Sequence, residues 1–116
     1  MVGSAVMKQY VIDELRRADY EVLQKYFQTH FSASGLDGLY WIPLDADILS
    51  DTQRSHAECQ PHYFSIELQP DRLTCELLVR TSERVRCNCI AYADERQREW
   101  LLQAIDAVLE KLAINV

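Results

Sequence analysis

The chain has 116 residues, a formal net charge of -6, 48% hydrophobic residues and 26% charged residues. That size and balance fit one folded domain, and with three glycines and three prolines they exclude disordered, collagen-like and low-complexity chains. No apolar run approaches the roughly 18 residues of a membrane span, and an acidic surface repels phosphates and anionic lipid, so neither nucleic acid nor membrane is an expected partner.

The reading is of a single domain over residues 1–116, with residues 1–8 frayed. The opening MVGSAVMKQYV lacks the long apolar stretch of a secretory leader, which points to a cytoplasmic protein. Thiols stay reduced there, so Cys59, Cys75, Cys87 and Cys89 are expected as free thiols or metal ligands, not disulfides.

In chain order, Gln9–Ile12 reads as a short strand. Leu23, Phe27 and Phe31 recur every four residues, with Tyr20 one turn earlier, predicting an amphipathic helix over about 17–31 that ends at Ser32, Ser34 and Gly35. Leu39–Ile42 is a β-prone run that Pro43 stops or confines to an edge. Ser50 and Gln53 have the spacing of a capping box, opening a short helix over about 51–58 that Pro61 cannot continue.

Residues 62–92 carry strict alternation. Phe64, Ile66 and Leu68 form one apolar set, Leu73, Cys75, Leu77 and Val79 a second, and Val85, Cys87, Cys89 and Ala91 a third. Gln69-Pro70-Asp71-Arg72 places proline where a tight turn favours it. Three half-buried strands with short connections make an antiparallel meander. Paired residues must share a face, and Val79 and Val85 both belong to the apolar set, so the last hairpin is expected to have a loop of three or five residues, or a bulge. Asp94 with Gln97 forms a second capping box, and Leu101, Ile105, Val108 and Leu112 stripe a helix over about 95–112. The expected fold is α+β, a two-layer sandwich with both helices on one face of the meander.

The opposite sheet face would expose Leu78, Ile90 and Tyr92, a patch suited to a homodimer interface or a protein partner. The leading functional reading is therefore a non-enzymatic module that self-associates.

A second reading comes from the cluster His56, Cys59, His62, Cys75, Cys87 and Cys89. Zinc takes four converging ligands of this kind, and Cys87 and Cys89 with Cys59, Cys75 or His62 form a candidate set. Two thiols one residue apart on a strand, roughly 6.7 Å along the chain, are a weaker signal than the usual two-residue spacing. Core packing of the cysteines as small hydrophobes is the preferred reading, and no cofactor is expected unless the zinc alternative holds. A third reading places a small ligand-binding or catalytic site at His56, Cys59 and His62, with Cys59 the candidate nucleophile between two histidines. Arg80, Arg84 and Arg86 at one hairpin end are a candidate anion site, weighed against simple solvation.

Overall fold

Turn chemistry and period-two alternation set the centre of the fold. The computed structural model describes residues 8–33, 37–81 and 87–115. Strands β4 (His62–Gln69) and β5 (Arg72–Glu76) form a hairpin whose turn is Pro70–Asp71, with Gln69 opposite Arg72. This register aligns Ile66 with Cys75 and Leu68 with Leu73 on one buried face. Strand β1 (Gln9–Ile12) lies against β5, and β3 (Leu39–Pro43) lies against β4 with β2 (Ser32–Ala33) beyond it. All pairings are antiparallel. Tyr40 and Ile42 meet Ile66 and Phe64, which extends the apolar face. Pro43 ends its strand, as a residue without an amide proton should.

Helix α1 (Arg17–His30) contributes Leu23 and Phe27 to this face, and α3 (Glu95–Lys111) contributes Leu101, Ile105, Val108 and Leu109. Both stripes pack into one core with Phe64, Ile66, Leu73 and Val79, giving the expected α+β sandwich. Burying each such side chain contributes about 1.5–3 kcal/mol.

Both expected capping boxes form. In α2 (Asp51–Arg54) Ser50 Oγ accepts from the Gln53 amide and Gln53 Oε1 accepts from the Ser50 amide. At α3, Asp94 and Gln97 exchange the same two bonds at 2.8 and 3.1 Å. The C-terminus of α3 closes with the Ile114 amide on the Leu109 carbonyl and Ala113 on Glu110. Ala113 holds φ +59°, the left-handed position where glycine is normally placed. That conformation costs an L-residue roughly 1–2 kcal/mol. Ala113→Gly should therefore raise stability by about 0.5–1 kcal/mol, once glycine's greater unfolded-state freedom is subtracted. Thermal unfolding of the two proteins checks it.

Helix α1 runs as expected and gives way at Phe31 to β2; Ser34 and Gly35, expected at its end, lie outside the described residues. Two expectations need correction. The helix expected over 51–58 breaks after Arg54. His56 leaves helical geometry at φ -105°, ψ 62°, and a separate 3₁₀ turn follows at Ala57–Cys59.

The third meander strand is much shorter than its alternation implied. Strand β6 (Leu78–Thr81) carries the β5 line onward and pairs with the start of β4, His62 opposite Thr81 and Tyr63 opposite Arg80. On its other edge β6 pairs, among the described residues, with Ala91–Tyr92 (β7), Val79 opposite Ala91 and Leu78 opposite Tyr92. The pairing keeps the required face match; residues 82–86, on which the expected short loop and Val85 fall, lie outside the described residues. At Leu77 the strand changes its outer neighbour. The Leu77 amide donates to the Lys8 carbonyl at 3.0 Å, and its own carbonyl accepts from Ala93 at 2.8 Å. Cys87 to Ile90 folds as a turn closed by the Ile90 amide on the Cys87 carbonyl at 3.0 Å. Cys87 and Cys89 therefore do not lie on a sheet strand.

Candidate metal centre

Two turns bring four soft donors together. The 3₁₀ turn is closed by the Cys59 amide on the His56 carbonyl at 2.9 Å, and it holds His56 and Cys59 side by side. The turn ahead of β7 supplies Cys87 and Cys89. The ligand atoms of His56, Cys59, Cys87 and Cys89 all lie within 4.8 Å of one another. Cys59 Sγ is 3.9 Å from Cys87 Sγ, and His56 Nδ1 is 3.1 Å from Cys87 Sγ. A tetrahedral zinc with Zn–S of about 2.3 Å and Zn–N of about 2.0 Å places sulfurs roughly 3.7 Å apart and sulfur from nitrogen roughly 3.5 Å apart. These two spacings fall within about 0.4 Å of those values, and the remaining donor pairs lie within 4.8 Å.

Burial separates the donors. Cys59 and Cys89 are each 1% exposed, while Cys87 and His56 are half-buried. The Cys89 amide donates to the Cys87 sulfur, and with Cys89's own thiol, Cys59 and His56 nearby the Cys87 thiol is lowered to about 7. Burial and the adjoining Cys87 and Cys59 sulfurs push Cys89 up to about 12. The cluster thus favours one thiolate and resists the next, a conflict that a divalent cation among the sulfurs removes.

Both turns are pinned through their carbonyls. Gln53 Nε2 donates to the Cys89 carbonyl at 3.2 Å, and the Thr81 hydroxyl donates to the Cys59 carbonyl. Gln53 is held in turn by Gln97, whose Nε2 donates to Gln53 Oε1 at 2.8 Å and to the Ile48 carbonyl at 3.0 Å. Both glutamines are buried. The capping boxes of α2 and α3 thus meet through their glutamine amides and clamp the cysteine turn, the kind of outer support that orients metal ligands.

The other candidate residues fall elsewhere. Cys75 is fully buried opposite Ile66 and Tyr10 in the sheet core, and burial pushes its thiol up to about 12. Cys75 packs as a core thiol and stands outside the four-donor group. Cys59 and Cys89, although buried, lie outside the main core cluster. His62 is 2% exposed at the start of β4 and stands outside the four-donor group. Neither of its ring nitrogens has a hydrogen-bond partner among the described residues, and burial, then the neighbouring His56, lowers its basicity. His56 takes the place expected of Cys75 or His62, because the 3₁₀ turn aims it at the cysteine turn while the other two follow the sheet. The histidine contact expected for Cys59 belongs to Cys87.

Arg80 of β6 is ion-paired with Glu76 at the end of β5, and Arg84 and Arg86 lie outside the described residues. Leu78 and Tyr92 face each other across β6 and β7, with the Lys8 ammonium 5.4 Å from the Tyr92 ring centre. Ile90 sits in the turn; Leu78 and Ile90 are half-buried, and Tyr92 is 42% exposed. His56 as a candidate ligand is not expected from the sequence, nor is the support that the capping residues Gln53 and Gln97 give the cysteine turn; their signals are the His56-x-x-Cys59 spacing and the glutamine that each capping box carries.

Comparison with family models, with curated proteins and with solved structures finds no match. Among the described residues, no helix is long and apolar enough to cross a membrane.

Proposed function

We propose that this protein binds one zinc ion per chain through His56, Cys59, Cys87 and Cys89, and that the ion is structural. The convergence of four donors within 4.8 Å carries the reading. Three thiols and an imidazole suit zinc, whereas calcium and magnesium require oxygen donors. Four protein ligands close a tetrahedron and leave no position for substrate, which separates a structural from a catalytic zinc. The ion would join the turn after α2 to the turn before β7, two segments about 30 residues apart that share little regular hydrogen bonding. Self-association through Leu78, Ile90 and Tyr92 has less behind it, since two of those side chains are half-buried within the chain.

The test is elemental analysis of untagged protein, followed by titration with zinc against a chromophoric chelator. One zinc per chain is expected, retained in Cys75→Ala and absent in Cys59→Ser and in Cys89→Ser. A chain that takes up no zinc, or that keeps it when both Cys59 and Cys89 are replaced, refutes the assignment.

The affinity should depend on pH with a definite sign. Zinc binds thiolates, so the Cys89 proton, held at about 12 in the metal-free chain, is released on binding throughout the neutral range. Cys87, at about 7, is half protonated there and adds to the release as pH falls. Zinc affinity should drop at least tenfold per unit from pH 8 to pH 6 and more steeply below 7, as competition with a chelator of known protonation would show.

A further inference from the structure

We infer that Cys87 and Cys59 also form a hydroperoxide-reactive dithiol, which closes to a disulfide and expels the metal. The expulsion rests on the zinc assignment above; the thiol chemistry rests on the positions of the sulfurs alone. Cys87 is the half-buried sulfur of the cluster, whereas Cys59 and Cys89 are each 1% exposed. An oxidant entering from solvent therefore meets Cys87 first. Cys59 Sγ waits 3.9 Å away, near van der Waals contact and within a side-chain rotation of the roughly 2.05 Å bond length. Cys89 is a poorer partner. It lies two positions along the same turn, where the hydrogen bond from the Ile90 amide to the Cys87 carbonyl already fixes the backbone.

The chemistry balances in two steps. The Cys87 sulfur attacks the terminal oxygen of a hydroperoxide, the O–O bond breaks, and the alkoxide or hydroxide leaves as an alcohol or water after taking one proton. Cys87 is then a sulfenic acid. The Cys59 sulfur attacks it, the S–O bond breaks, and the leaving hydroxide takes a second proton to become water. Two electrons pass from the thiol pair to the peroxide. The metal loses two of its four ligands, keeps only His56 and Cys89, and dissociates.

The experiment treats zinc-loaded protein with a tenfold excess of hydrogen peroxide. Released zinc is followed with a chromophoric chelator, and the product is digested with trypsin. Cleavage after Arg54, Arg72, Arg86 and Arg96 isolates Cys59 in peptide 55–72 and both Cys87 and Cys89 in peptide 87–96. One zinc per chain should leave as these two peptides become linked, and a dithiol reductant should restore zinc uptake. The link should persist in Cys89→Ser and vanish in Cys87→Ser. Zinc retained while free cysteine in the same tube is oxidised would overturn the inference. So would sulfinic acid without a link, or a bridge confined to peptide 87–96. If the chain takes up no zinc at the outset, the metal assignment fails by itself. The link formed or not formed by the metal-free chain then decides the dithiol separately.

Discussion

Removal of the metal by a strong chelator is expected to lower the midpoint of thermal unfolding by about 15 °C. The size follows from linkage. A ligand that binds only the folded state at 1,000 times its dissociation constant stabilises by about 4 kcal/mol, and a domain near 100 residues shifts by about 4 °C per kcal/mol. The unfolded chain retains the cysteines but not their convergence, since His56 and Cys89 are 33 residues apart in sequence. Loss should be greatest around the cysteine turn, which is linked to the rest of the described structure by the Gln53 bond and the two-residue strand β7. Cys89→Ser should already sit at the lower midpoint and should not respond to chelator. Cys75→Ala should also lose stability, because it empties space in the sheet core, yet it should keep the full chelator response. A wild-type midpoint that chelator leaves unmoved would remove the metal from any account of this fold.

Gln53→Ala is expected to cost about 3 kcal/mol and to weaken zinc binding 10- to 100-fold. Part of the stability loss is the helix cap, worth about 1 kcal/mol. The remainder comes from the Cys89 carbonyl, which loses the Gln53 donor in a buried place, at about 1–3 kcal/mol. Gln97 keeps the Ile48 carbonyl and so is not fully orphaned. The zinc effect arises because the Cys89 carbonyl then ceases to be held, and outer partners of metal ligands typically matter by that factor. Ser50→Ala separates the two effects. It removes the same cap but leaves the bond from Gln53 to Cys89, so it should cost about 1 kcal/mol with zinc affinity unchanged. Denaturant unfolding and chelator competition on the two variants measure both quantities. Equal zinc affinity in wild type and Gln53→Ala would show that the amide clamp supports the fold and not the centre.

Much of this architecture is legible in local chemistry. The hairpin at Pro70–Asp71, the stripe of α3 and both capping boxes each depend on residues within a few positions of one another. The start of α1 is less legible. Arg16 occupies the cap position, and Asp19 accepts from its amide and its guanidinium, an arrangement without the usual serine, threonine or asparagine signature. The third strand is poorly legible for a related reason. Alternation over Val85–Ala91 is compatible with a strand, but the chain places Cys87–Ile90 in a turn whose amide on Cys89 serves a sulfur.

The sequence by itself determined the layers, the antiparallel hairpin and the faces of both helices, because apolar periodicity and turn residues act over short separations. It also marked a concentration of cysteine and histidine between residues 56 and 89. Only the tertiary structure decided which of them converge. Cys75 and His62 follow strands whose alternation buries them separately, whereas His56, Cys59, Cys87 and Cys89 ride on two turns. Those turns meet because Gln53, Gln97 and Thr81 satisfy buried amides and carbonyls across separations of 22 to 49 residues. Such bonds leave no periodic trace in a single chain.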